Sequence, residues 1–236
     1  MEFEYGNFKV SFKYGMEYLH VTAKITFIAL FFGIVIGLVV AVVRHYKIPV
    51  ISQILTVFVT LYQGLPVMVA LLIYNLLFSF YIADIIRILH LNVQVRDVNN
   101  IVVAYFTLSL AAITSISETF RGAFVSVEKT QYEAGHAVGL SKLQTLRRII
   151  IPQMIPVAIP GLINNMVGTI KGTSLVMTIG VMEVMNASLI PCSRTYSFLE
   201  GYVAAALIYW TFTLVLETIA RVFEKRTKCY RENITN

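Results

Sequence analysis

Charge is scarce in this chain. Only 14% of its 236 residues are Asp, Glu, Lys or Arg, while 57% are hydrophobic and mean hydropathy is +0.74. Average proteins carry about 25% charge, so a water-soluble globule this apolar lacks the surface to stay in solution, and lipid is its natural solvent. Cysteine is nearly absent, with Cys192 and Cys229 alone, which excludes a disulfide scaffold. The four histidines, His20, His45, His90 and His136, are scattered, and no Cys or His spacing fits a metal site. No GxxxxGK[ST] run occurs, so the chain offers no phosphate-cradling loop and any nucleotide chemistry is expected on another chain. The opening MEFEYGNFKVSFKYG mixes acids, bases and aromatics and lacks the basic-then-apolar build of a cleaved signal peptide.

Long apolar runs are abundant. A spanning helix needs about 20 mostly apolar residues, because lipid cannot satisfy an exposed backbone. Five segments qualify, at about 19–43, 66–88, 101–120, 156–181 and 202–222. The expected fold is therefore all-α, a single polytopic membrane unit over 1–236 with a water-exposed loop at 123–155. Ile48–Tyr62 is shorter and reads as a partly buried helix leading into the second span, whose N-terminus Pro66 suits.

The net charge of +6 invites a nucleic-acid partner, but the cations sit at the ends of apolar runs, where membrane orientation explains them better. One side holds Arg44, Lys47, Arg121, Lys129, Lys142, Arg147, Arg148, Arg221, Lys225, Arg226, Lys228 and Arg231. The other holds Lys9, Lys13, Arg87, Arg96 and Arg194. The richer side should be cytoplasmic, which puts the N-terminus outside, the C-terminus inside and the two cysteines on opposite faces. A sixth span would break the agreement between the odd span count and the charge.

Between the third and fourth spans lies EAGHAVGLSKLQTLRRIIIP, residues 133–152. Ala134, Ala137 and Val138 form an i, i+3, i+4 stripe on one helix. Gly139 suits a left-handed helix stop. Ser141 with Gln144 three residues on predicts a capping box opening a second helix. That helix has an apolar face of Leu143, Leu146 and Ile150 and a basic one of Lys142, Arg147 and Arg148, and Pro152 is expected to close it. Glu133 has two expected uses, a bond to a partner or a lock onto Arg147 or Arg148.

Glu133-Ala134-Gly135, Gly139, Ile149, Ile151 and Pro152 keep the spacing E-A-A-x3-G-x9-I-x-L-P, with Gly135 and Ile151 as departures. This resembles the cytoplasmic EAA loop of bacterial ABC importer permeases. Ser117–Gly122, Ile170–Leu175 and Tyr62–Pro66 resemble the flanks found in permeases for polar amino acids, and the similarity covers about 14–223. The resemblance implies a place in the bacterial cytoplasmic membrane. It also implies a second permease subunit (identical or different), two cytoplasmic ATPase subunits that bind ATP and Mg, and an external substrate-binding protein. It makes Glu133, Ala134, Gly135, Ala137, Gly139, Arg148 and Pro152 candidate ATPase-coupling residues.

Polar residues at membrane depth are costly unless paired or wet. Glu118 and Arg121, three apart, form a candidate structural ion pair. Lys24 reads as a snorkelling interfacial lysine. In the fourth span Asn165, Thr169 and Gly172 share one face and Asn164, Lys171 and Ser174 the adjacent one. These six are candidate substrate-path residues. Lys171 has two open readings, a holder of a substrate carboxylate or a counter-ion for Glu183 or a helix end. Permeases of the resembled family that take cationic amino acids tend to carry acids where this chain has Asn165 and Gly172. The resemblance therefore implies a neutral or zwitterionic polar amino acid, cystine or glutamine in type. Gly33/Gly37 and Gly168/Gly172 are spaced for close helix packing, within one subunit rather than between subunits.

Two other classes fit less well. An intramembrane enzyme needs a nucleophile–base pair or metal set in the spans, and the sequence offers none. An ion-coupled secondary transporter would favour intramembrane acids and internal repeats, against which stand five spans and Glu118 alone.

Overall fold

The computed structural model of the protein describes residues 3–88, 90, 94 and 98–235, with side chains at all of these except Ile85 and residues 226–235. Arg96 lies outside the described residues, as do the side chains of Arg226, Lys228, Cys229 and Arg231. Every regular element among the described residues is a helix: α1 Tyr5–Glu17, α2 Leu19–His45, α3 Ile51–Gln63, α4 Val67–Ile88, α5 Ile101–Val125, α6 Lys129–Ala137, α7 Lys142–Thr145, α8 Ile151–Gly172, α9 Val184–Leu189, α10 Cys192–Thr195 and α11 Phe198–Thr235.

Five helical stretches are long and apolar enough to cross a membrane: Leu19–His45, Val67–Ile88, Ile101–Val125, Lys142–Ile179 and Phe198–Lys225. Each contains or closely overlaps one of the five expected runs. The shorter Ile51–Gln63 packs Val59 and Tyr62 inward and leaves Ile54, Val57 and Leu61 exposed. Its Tyr62 hydroxyl and Gln63 amide donate to the Thr107 and Thr114 carbonyls of α5, at 3.2 and 3.3 Å. Pro66 lies just before α4, where its carbonyl accepts from the Ala70 amide at 3.0 Å. The helix α1 has no counterpart among the expected elements. Its mixed composition hides it, since burying only Ser11 and Gly15 leaves almost no apolar stripe.

The core is built on α2 and α5. A methyl at Gly33 would come within 2.8 Å of Ile116 and 2.9 Å of Ala112, and one at Gly37 within 3.2 Å of the Ile113 carbonyl and the Ser117 amide. The two glycines thus let these backbones approach closely, inside one chain. The buried hydroxyls of Thr107 and Ser117 donate to their own helix, to the Val103 and Thr114 carbonyls at 2.8 Å each, so both are satisfied without water. At Gly168, by contrast, a methyl would find nothing within 4 Å, and at Gly172 it would meet Leu108 only at 3.7 Å. That second glycine pair borders space rather than a neighbour.

The fourth spanning stretch corrects two expectations. The chain does not stop at Pro152. From Lys142 it runs through a π turn, Leu146–Ile150, directly into α8, which carries Pro152 in its first turn and Pro156 and Pro160 inside. Wider hydrogen-bonded turns at such points accommodate a missing donor, which is how a proline-rich helix stays continuous. Leu143 is not on a buried face either. It is 73% exposed, while Leu146 and Ile150 are buried.

At the opposite end of α2 from the loop of α6, α7 and the π turn (129–150), Glu183 organises the packing of α2, α9 and α11. Fully buried, it caps α9 through the Met185 and Asn186 amides, both at 3.0 Å, and accepts from Thr22 and from the Tyr209 hydroxyl. Burial pushes its carboxyl above the ordinary pKa, against the opposing pull of those donors. Tyr209 also meets the Thr173 hydroxyl at 3.2 Å, tying in the segment after α8. Glu183 is therefore not the counter-ion of Lys171.

Candidate functional site

Two features stand out, a loop at one end and a cavity within the span. In the loop, α6 ends where Gly139 adopts φ +79°, a left-handed conformation that glycine takes without cost. Ser141 and Gln144 then form a reciprocal capping box, with the Gln144 amide donating to Ser141 Oγ at 3.3 Å and the Ser141 amide to Gln144 Oε1 at 2.9 Å. The two short helices close on each other at Gly135, whose missing side chain is decisive: a methyl there would meet Thr145 at 2.6 Å. Gly135 thus faces inward, buried against Thr145.

Ala134, Ala137, Val138 and Leu143 are exposed, and with Glu133 they form the outward surface of the loop. Glu133 makes no ion pair among the described residues, so the expected lock onto Arg147 or Arg148 is absent, and both arginines are exposed. What remains is an exposed small-residue face with one acid, on a loop whose exposed cations are Lys129, Lys142, Arg147 and Arg148 and which is closed from behind by the Gly135–Thr145 contact.

Glu118 does pair with Arg121, whose Nε donates to it at 2.7 Å. It also takes a bond from Arg44 of α2 at 2.5 Å, with only 8% of the Arg44 side chain exposed. In the sequence Arg44 serves only as a marker of orientation. Nothing local links it to an acid 74 positions on.

The cavity has a volume of about 190 Å³ and lies between α8 and α5, with Val67 of α4 at its edge. Asn164, Asn165, Thr169 and Gly172 line it with Gly168, and Leu108, Ala111, Ala112 and Ser115 close the facing side. Lys171 and Ser174 do not line it. Lys171 is exposed on the same helix, and Ser174 donates to the Lys171 carbonyl at 2.7 Å. Asn165 is committed, donating to Thr119 Oγ1 at 2.8 Å and to the Gly161 carbonyl at 2.9 Å. Thr169 donates to the Asn165 carbonyl at 2.8 Å. Asn164 is exposed, so its amide is the one most open to whatever enters. Among the described residues, none of those lining the cavity is charged. Among the described residues there is no group of three His, Cys, Asp or Glu fit to hold a metal.

Residues 33–228 match the family of binding-protein-dependent transport system inner membrane components. The chain belongs to this family. Its relatives include the L-cystine transport system permease protein TcyL of Bacillus subtilis, 35% identical over 89% of this chain and 86% of that protein. Another is the histidine/lysine/arginine/ornithine transport system permease protein HisQ of Salmonella typhimurium, 31% identical over 87% and 90%. Among solved structures, one of an amino acid ABC transporter with histidines superposes with a TM-score of 0.77 at 24% identity, covering 96% of this chain and all of that one. A chain of the MetNI methionine ABC transporter, inward facing, gives a TM-score of 0.65 at 17% identity. The permease is thus a multi-pass membrane protein with the fold of an importer's transmembrane subunit. The residues that sequence reasoning missed, Arg44, Glu183 and the wall formed by Leu108 and Ser115, all act across helices.

Proposed function

We propose that this permease carries a polar amino acid, neutral or zwitterionic, into the cell through the α5–α8 cavity, driven by ATP hydrolysis on separate subunits that dock on the 129–150 loop. The uncharged lining of the cavity carries this reading: Asn164, Asn165, Thr169 and Ser115 offer dipoles, and no acid is there to hold a cationic side chain. The relatives include a cystine permease and a histidine/lysine/arginine/ornithine permease, which supports an amino acid as the solute, while the preference for an uncharged one rests on the lining alone. In this reading the loop faces the cytoplasm, the N-terminus lies outside, and a second permease subunit covers the exposed side of the cavity. An external binding protein delivers the solute. Lys171, two turns from Asn164 on the same helix, stands beside the path rather than in it.

Packing supplies the mechanics. The close α2–α5 contact at Gly33 and Gly37 makes one body, and the continuous Lys142–Ile179 helix makes a second that carries half of the cavity wall. A push on the loop shifts the second body against the first and changes which end of the cavity is open.

The test is uptake into proteoliposomes holding the assembled importer, with ATP supplied on the loop side and a panel of labelled amino acids on the other. Neutral and zwitterionic solutes are expected to accumulate and lysine and arginine to be excluded. Asn164→Asp is expected to raise uptake of cationic amino acids roughly 10- to 150-fold, one well-placed charge contact being worth roughly 1.5–3 kcal/mol. Asn165→Asp is the poorer probe, since it sets a carboxylate against the Gly161 carbonyl. Accumulation of arginine by the unaltered importer would overturn the substrate reading.

A further inference from the structure

The loop helix α6 touches the membrane helices at two places. One is on the α8 side, where Gly135 packs on Thr145 and the Gln153 amide donates to Gln131 at 3.1 Å. The other is a joint with the α2–α5 body. There the His45 ring packs on two others, 4.9 Å from Phe124 of α5 and 5.6 Å from Tyr132 of α6, each stacked at 26°. The Tyr132 hydroxyl meets His45 Nε2 at 3.0 Å, and Tyr46 packs edge-on against His45 at 5.3 Å. Phe124 is buried and Tyr132 half-buried. Burial, with Tyr46 nearby, raises the Tyr132 phenol above its ordinary pKa, so it stays a neutral hydrogen-bonding group.

The stack therefore joins three elements at one point: the last residue of α2, the last turn of α5 and the middle of α6. The neighbouring residue Arg44 binds Glu118, so the end of α2 is anchored to α5 by charge and to α6 by the His45–Tyr132 bond. A movement of α6 that left α2 and α5 behind would have to break this contact. We propose that Tyr132 and His45 are positioning residues of the transport cycle, transmitting displacement of the loop helix to the α2–α5 body while the Gly135–Thr145 contact transmits it to α8. This rests on the reading of the loop as the docking site of the ATPase. It adds the route by which the motion divides.

The measurement is ATP hydrolysed per solute molecule accumulated, in proteoliposomes of the whole importer, with the amino acid that the unaltered complex takes up best. Tyr132→Phe keeps the ring and removes the hydroxyl, and it is expected to raise that ratio about three- to tenfold, the range of one hydrogen bond. His45→Phe should match it, and the double variant should be no worse than either single one, since all remove one contact. His45→Gln, which keeps a hydrogen-bonding group, should restore most of the coupling. The ATPase subunits are expected to stay bound throughout.

Gly139→Pro, which breaks the loop itself, separates the joint from the loop. Wild-type ratios in Tyr132→Phe and His45→Phe, with Gly139→Pro uncoupled, would overturn the joint and leave the loop reading intact. Wild-type ratios in all three would overturn both. Loss of the ATPase subunits from Tyr132→Phe would make the residue an assembly contact and would also overturn the proposal.

Discussion

Reversing the charge at Glu133 is expected to abolish uptake while leaving the permease inserted and folded. Glu133 is exposed and has no ion pair among the described residues, so Glu133→Lys breaks no ion pair inside this chain. If the acid meets a cation on the ATPase, reversal replaces attraction with repulsion. Losing one partner of a desolvated interfacial charge pair costs about 2–5 kcal/mol, which is roughly 30- to 4,000-fold in docking affinity. Co-purification of the ATPase with the variant, set beside the melting temperature of the permease alone, checks this. A lost ATPase with an unchanged melting temperature is the expected pair of results. Retained ATPase and normal uptake would remove Glu133 from the interface.

The second large effect belongs to Arg44. This side chain is 8% exposed and bonds to a Glu118 that is itself mostly covered, whereas the Arg121 side chain is 46% exposed. Breaking a buried ion pair from one side costs about 3–5 kcal/mol when the remaining charge is stranded. Here Arg121 still serves Glu118, so Arg44→Met is expected to cost less, about 2 kcal/mol. Arg121→Met should cost well under half of that, because exposed pairs contribute about 0–1 kcal/mol. Thermal melting of the two variants in one detergent gives the order directly. Equal losses, or a larger one at Arg121, would show that burial does not set the strength of this cluster.

How much of this can be read in the sequence depends on distance along the chain. The spans are legible because lipid demands about 20 apolar residues in a row, and each of the five spanning helices overlaps such a run. The helix stop at Gly139 and the Ser141–Gln144 box are legible because both depend on residues within one turn. Pro152 points to a stop because a proline normally ends a helix, and the π turn that accommodates it has no sequence mark. Gly135 reads as a conservative departure from alanine, yet it is the point where α6 and α7 meet too closely for any side chain.

The cavity is half legible. Asn164, Asn165, Thr169 and Gly172 fall on its wall because helical periodicity is local, while Lys171 and Ser174 lie off it. The facing wall, Leu108 to Ser115, reads as ordinary apolar span and becomes a wall only when α5 is set against α8. The same holds for Arg44 with Glu118, His45 with Tyr132, and Glu183 with Thr22 and Tyr209. These are partners brought together by folding over 26 to 161 positions of sequence.

The central claim is that the 129–150 loop is a lever on the cytoplasmic face, pressed by an ATPase. The most direct test places a single cysteine at His136, with Cys192 and Cys229 replaced by alanine, and treats cells and inverted membrane vesicles with a membrane-impermeant maleimide. Labelling in inverted vesicles alone, blocked when the ATPase subunits are bound, is the predicted result; labelling of intact cells would contradict it.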